Sequence, residues 1–171
     1  MHRRTLVLVV IATLAASPIG YRIYAQDRGD HALIKGVTDA KVTLQQGLTT
    51  AAAQGRPISG KFEVEDGKLQ LSVYTAKDGK FSEVIVDHMT GNVAKAESIT
   101  EGEDLDEAMP QSAAMEKAKM DLKAAVDKST AAATSGARVI SVTPVLKDGR
   151  AVASVTLLAG QQIQTVERPL D

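Results

Sequence analysis

The residues of this chain that could do chemistry are few and scattered. Among its 171 residues there is no Cys, which excludes thiol nucleophiles, disulfides and thiolate-bound metal. The three histidines are His2, His31 and His88. His88 stands between Asp87 and Met89, and an Asp-His pair could supply part of a metal site. No third ligand follows at a suitable spacing, so a solvent-exposed turn histidine is expected. Met89 cannot join His88 on a haem, because adjacent side chains do not reach opposite axial positions. Asp104-x-Asp106-Glu107 has the spacing of calcium ligands. It lacks the Gly and the distal Glu of a twelve-residue calcium loop. There is no G-x-S-x-G elbow, no H-E-x-x-H, no P-loop and no dinucleotide fingerprint. The expectation is a protein that is not an enzyme, with no catalytic, cofactor-binding or metal residues and no cofactor.

Composition narrows the class. Hydrophobic residues at 44% and charged residues at 24% are ordinary for a folded chain, which argues against wholesale disorder. Aromatics at 3% leave too few rings for a sugar platform or a base-stacking surface.

The N-terminus reads as a targeting segment. Arg3 and Arg4 precede an unbroken run of small or apolar residues, Leu6 to Ala16, and Pro18 and Gly20 follow. An eleven-residue helix covers only about 16 Å, roughly half a bilayer core. Ile23-Tyr24-Ala25 then offers a cleavage site before Gln26. That order is the order of a secretory signal peptide, residues 1–25, with Ala25 and Gln26 flanking the cut. An uncleaved N-terminal anchor is the alternative. Cleavage removes Arg3, Arg4 and Arg22, leaving 17 basic and 21 acidic residues. A mildly acidic surface does not attract phosphate backbones or anionic lipid, so nucleic acid is not an expected partner. Once the apolar segment is cleaved, no stable membrane insertion is expected. The expected location is periplasmic or secreted.

Beyond a flexible lead, residues 26–37, one pattern occurs twice. Thr43 and Gln46 form a capping box, and Leu44, Leu48, Ala51 and Ala52 share a helical face. Gly47 weakens this helix by about 0.5–1 kcal/mol relative to Ala, so tertiary support is needed. The period then changes from 3.6 to 2. Phe62 and Val64 alternate, with Gly60 at the preceding in-facing position, before the hairpin signal Asp66-Gly67. Leu69, Leu71 and Val73 return, Asp78-Gly79 turns again, and Phe81 to Val86 makes a third strand. In the second half Ser112 caps a long helix marked by Met115, Ala118, Leu122, Ala125, Val126 and Ser129. Strands through Ile140–Leu146, Ala151–Leu157 and Gln162–Val166 follow, with Asp148-Gly149 between the first two. Adding 82 to Ile58, Val64, Val73 and Phe81 gives Ile140, Leu146, Val155 and Ile163, which marks an internal repeat. Residues 97–110, rich in Asp and Glu and ending at Pro110, read as an acidic linker in which Gly102→Val would be nearly silent.

The stretch Val86-Asp87-His88-Met89-Thr90-Gly91-Asn92-Val93 closes the first repeat. With the capped helix at Thr43-Leu44 and the Asp-Gly hairpin, it resembles the PepSY domain family. The resemblance covers residues 38–96, and residues 111–171 resemble a second, degenerate PepSY-like unit. There, Glu167 to Asp171 stand where the Asp and Thr-Gly belong. Asp87, Thr90 and Gly91 suit a turn, since Asp and Thr accept from backbone N–H groups just ahead and Gly supplies positive φ. They are expected to be structural.

The fold class expected is α+β, as two tandem units, each a helix on a three-stranded antiparallel sheet. One such unit alone is marginal, so the two are expected to pack together or join sheets. The resemblance implies an exported binding or regulatory module whose partner is a protein, such as a peptidase or another envelope protein that it restrains. Two other readings stay open: a periplasmic small-molecule or metal carrier, and a structural envelope-stress protein with no discrete ligand.

Overall fold

A computed structural model describes residues 24–171. The expected signal segment therefore lies outside the described residues except at its end, and Ala25 and Gln26 fall in the first turn of a helix. The elements in chain order are α1 (Tyr24–Asp39), α2 (Leu44–Ala51), β1 (Arg56–Glu65), β2 (Lys68–Lys77), β3 (Lys80–Val86) and β4 (Val93–Ile99). They continue with α3 (Glu103–Lys117), α4 (Leu122–Ala131), β5 (Arg138–Lys147), β6 (Arg150–Ala159) and β7 (Gln162–Pro169). No described helix is long and apolar enough to cross a membrane.

Local chemistry explains the turns. Asp66-Gly67, Asp78-Gly79 and Asp148-Gly149 all carry positive φ at both residues, the geometry that lets a two-residue hairpin follow the strand twist. At α2 the Thr43 side chain accepts from Gln46 N–H, while the Gln46 side chain accepts from Thr43 N–H. That is the capping box read from the sequence.

The class is α+β, and the strands of the two units join in one sheet. Seven antiparallel strands run in the order β4-β3-β2-β1-β5-β6-β7. The halves join where β1 pairs with β5, Gly60 opposite Val142 and Lys61 opposite Ser141. Every β1–β2 pair becomes a β5–β6 pair when 82 is added to both residues. Every β2–β3 pair becomes a β6–β7 pair in the same way. The irregularity between Pro57 and Ser59 also returns, between Val139 and Ser141. The first half carries a fourth strand, β4, which has no counterpart among the described residues.

Three further expectations are corrected. The lead at 26–37 is not flexible coil: it belongs to α1, with Val37 fully buried and Leu33 and Ile34 packed on the core. The stretch 97–110 is not a linker. Residues 97–99 finish β4, 100–102 connect, and 103–110 begin α3, with Pro110 inside that helix. Glu103, Asp104 and Asp106 fall in the first turn of α3, where carboxylates are favoured by the helix dipole. Gly102 caps that helix with φ 80 and ψ −168, a region open almost only to Gly, so it is no neutral position. Finally, the second half has two helices where one long helix was expected. Asp121, not Ser112, is the N-cap of α4, accepting from Ala124 N–H at 2.7 Å.

The core forms on both sides of the sheet. Gly47 of α2 lies against Leu71, and Gly60 of β1 lies under Leu44 and Leu48, so α2 covers the face of Gly60 and Leu71. Ser59 and Tyr74 alternate with Gly60 and Val73 and point the other way. There α3 meets them: Ser59 donates to Gln111 at 2.6 Å, and the Tyr74 hydroxyl donates to Asp104 at 3.1 Å. Burial, reinforced by the acidic side chains around it, pushes the Tyr74 phenol well above its usual pKa.

Candidate functional site

The family-like signature lies in the connection from β3 to β4. Asp87 Oδ1 accepts from the N–H groups of Met89 and Thr90, both at 2.8 Å. Asp87 carbonyl accepts from Gly91 N–H at 2.8 Å, and Asp87 N–H donates to the Asn92 carbonyl at 2.9 Å. Gly91 takes φ 79 to close the loop. Asp87, Thr90 and Gly91 thus meet in one turn. The bonds from Thr90 and Met89 favour the charged carboxylate and hold the Asp87 pKa below the ordinary value. A carboxylate so occupied is a poor base.

The turn also clamps the helices. The His88 carbonyl accepts from the N–H groups of both Lys41 and Val42 at 3.0 Å, which fixes the connection between α1 and α2. Thr50 of α2 donates to the Gly91 carbonyl at 3.0 Å. The second half repeats the latch with other side chains: the Leu170 carbonyl accepts from Lys119 and Met120, just before α4. Leu170 stands 82 residues after His88 and is fully buried. The backbone contact survives although the Asp and Thr-Gly do not.

His88 differs from the expected solvent-exposed residue. Its side chain is half-buried, and its Nδ1 is buried without a hydrogen-bond partner among the described residues. No group of three or more His, Asp or Glu that could hold a metal occurs among the described residues. Around the turn, Val42, Gln46, Thr50, Thr90 and Lys123 border a shallow groove of about 510 Å³. Its polar groups are amides, hydroxyls and one ammonium, which can hydrogen-bond a ligand. A larger groove of about 710 Å³ lies between α3 and the β3–β4 edge, bordered by Phe81, Ile99, Leu105 and Met109. Met109 is 56% exposed there.

One residue with a role across the halves was missed. Arg138, at the start of β5, donates through Nη1 to the Ala40 carbonyl at 3.0 Å and through Nη2 to the Val42 carbonyl at 3.1 Å. The second half thereby grips the α1–α2 connection of the first. The repeat offset places Arg138 at the position of Arg56, but only the fold shows which carbonyls it reaches.

Comparison of the chain with protein-family models, with curated proteins and with solved structures returned no match.

Proposed function

We propose that this chain is an exported, duplicated PepSY-type module that binds and restrains a protein of the envelope, a peptidase being the partner class the resemblance favours. The observation that carries the protein-binding reading is the pair of outer strands β4 and β7. Neither has a strand on its far side among the described residues, and exposed Val93 and Ile163 lie along them. Unpaired backbone edges with apolar side chains suit an extended polypeptide better than a small solute. The polar groups of the signature turn are already engaged by backbone, which supports a structural role for Asp87, Thr90 and Gly91.

The reading is tested with the tagged chain expressed in its own envelope. Recovered protein is expected to begin at Gln26 by N-terminal mass analysis. Cross-linking and mass spectrometry are expected to return one envelope protein, and adding the purified chain to it is expected to lower its activity if it is a peptidase. Recovery of intact Met1 in membranes would replace secretion by anchoring. Tight metal binding lost on His88→Ala, with no protein captured, would favour the carrier.

A further inference from the structure

The two halves of the sheet differ at their outer ends. On the first half, β4 covers β3, pairing Phe81 with Ile99, Glu83 with Glu97 and Ile85 with Lys95. On the second half, β7 is the counterpart of β3, and no described strand covers it. Because β6–β7 repeats the β2–β3 register at an offset of 82, the outer side of β7 offers a strand the same positions that β4 uses on β3.

Moving the β4 register onto β7 places its residues opposite Ile163, Thr165 and Glu167. At the existing site Glu97 faces Glu83, a like-charge pair, and Lys95 faces the apolar Ile85. On β7 the same strand would set its Glu opposite Thr165, its Lys opposite Glu167 and its Ile opposite Ile163. The like-charge pair disappears, and the incoming Lys stands opposite Glu167, a carboxylate that already pairs with Lys147. Ile163, 40% exposed, would gain an apolar neighbour. The usable edge ends at Pro169, which has no N–H to offer.

We propose that β7 binds an extended segment of a partner protein, added antiparallel as an eighth strand. The segment carries a cation opposite Glu167 and, four residues later, an aliphatic residue opposite Ile163. This rests on the protein-binding reading above and names its surface and the chemistry of the partner.

The probe is a blocked synthetic peptide of residues 91–101, which contains Lys95 and Ile99 at that spacing. It is titrated into the 15N-labelled chain as recovered from the envelope. The expected result is shifted and more slowly exchanging amides confined to residues 162–168. Glu167→Lys is expected to weaken binding about 1.5- to 5-fold, and a peptide with Glu in place of Lys95 to restore it. Ile163→Lys, on an exposed site, is expected to weaken binding without lowering the melting temperature. Absence of any β7 response at millimolar peptide overturns the proposal. So does a dimer by sedimentation whose β7 amides are already protected, since a second copy then holds the edge. An envelope partner that binds the Ile163→Lys chain as well as the unchanged one leaves protein binding intact but removes it from β7. A peptide that binds β7 in a chain for which no protein partner is found supports the edge and counts against the function.

Discussion

Gly60 of β1 pairs across the centre of the sheet with Val142 of β5, the residue 82 positions later and its own counterpart in the repeat. A strand position that meets its own counterpart in antiparallel pairing lies on a local two-fold axis normal to the sheet. The two residues differ because the helices above them differ. A Cβ on Gly60 would meet Leu48 at 3.2 Å, whereas Val142 is fully buried, and at the matching position of α4, five residues after the N-cap, Val126 replaces Leu48.

The same exchange of volume occurs at the neighbouring residue of α2 and makes the first prediction. Gly47 lies against Leu71; the N-caps Thr43 and Asp121 align α2 with α4 at an offset of 78, so Gly47 corresponds to Ala125, and Leu71, at the strand offset of 82, to Ala153, all buried. A Cβ on Gly47 would approach Leu71 Cδ2 to 2.7 Å. Gly47→Ala gains about 1 kcal/mol of helix propensity but overpacks a closed core, which costs about 1–3 kcal/mol. A net loss is expected, with favourable coupling when Leu71→Ala is added, because the pair then copies the second half. Denaturant unfolding of the four chains measures the coupling; strict additivity would refute the exchange.

Glycine strain gives the second prediction. Gly91→Val is expected to destabilise by about 1–2 kcal/mol, since an L-residue at φ 79 crowds its own backbone. Gly102→Val is expected to cost at least as much, because φ 80 with ψ −168 is nearly closed to other residues. Thermal unfolding compares them, and a silent Gly102→Val would count against its place at the start of α3.

Asp87 sets a dependence on acid. Its folded pKa is lowered, so the stability it contributes is present above its unfolded value, about 4, and is lost as pH falls through the folded value. Melting temperature between pH 6 and pH 2.5 is expected to fall in the unchanged chain. The Asp87→Asn chain is expected to be less stable at pH 6 and to fall less steeply. Parallel curves would remove the carboxylate from the account.

Arg138 tests the join between the halves. Its two bonds to Ala40 and Val42 carbonyls come from one planar fork, which Lys cannot reproduce. Arg138→Ala is expected to cost about 1–3 kcal/mol, and Arg138→Lys to recover only a minor part. Amide exchange at residues 40–42 is expected to accelerate in both. Unchanged exchange there would mean the clamp does not hold the connection.

What could be read from the chain alone was what adjacent residues decide among themselves. The Thr43–Gln46 box, the Asp-Gly hairpins and the Asp87–Gly91 turn are closed by groups within a few positions of one another. The offset of 82 was legible because hairpin register follows from turn geometry and alternation, which both halves retain. Other features needed contacts from far along the chain. The strand β4, Val-Ala-Lys-Ala-Glu-Ser-Ile, is mostly exposed on both faces and shows little alternation; the edge of β3 makes it a strand. The apolar residues of α1 are sparse, and Leu33, Ile34 and Val37 become a helical stripe because the core receives them. Asp and Glu after Gly102 suit a solvated linker and a first helical turn equally well, and the packing of α3 on Ser59 and Tyr74 selects the helix. Whether the repeats stood apart or shared a sheet depended on β1 and β5, some 80 residues apart, meeting edge to edge. Pairing between edges so distant in sequence is governed by burial and backbone hydrogen bonding across the whole domain, and no short stretch of residues records it.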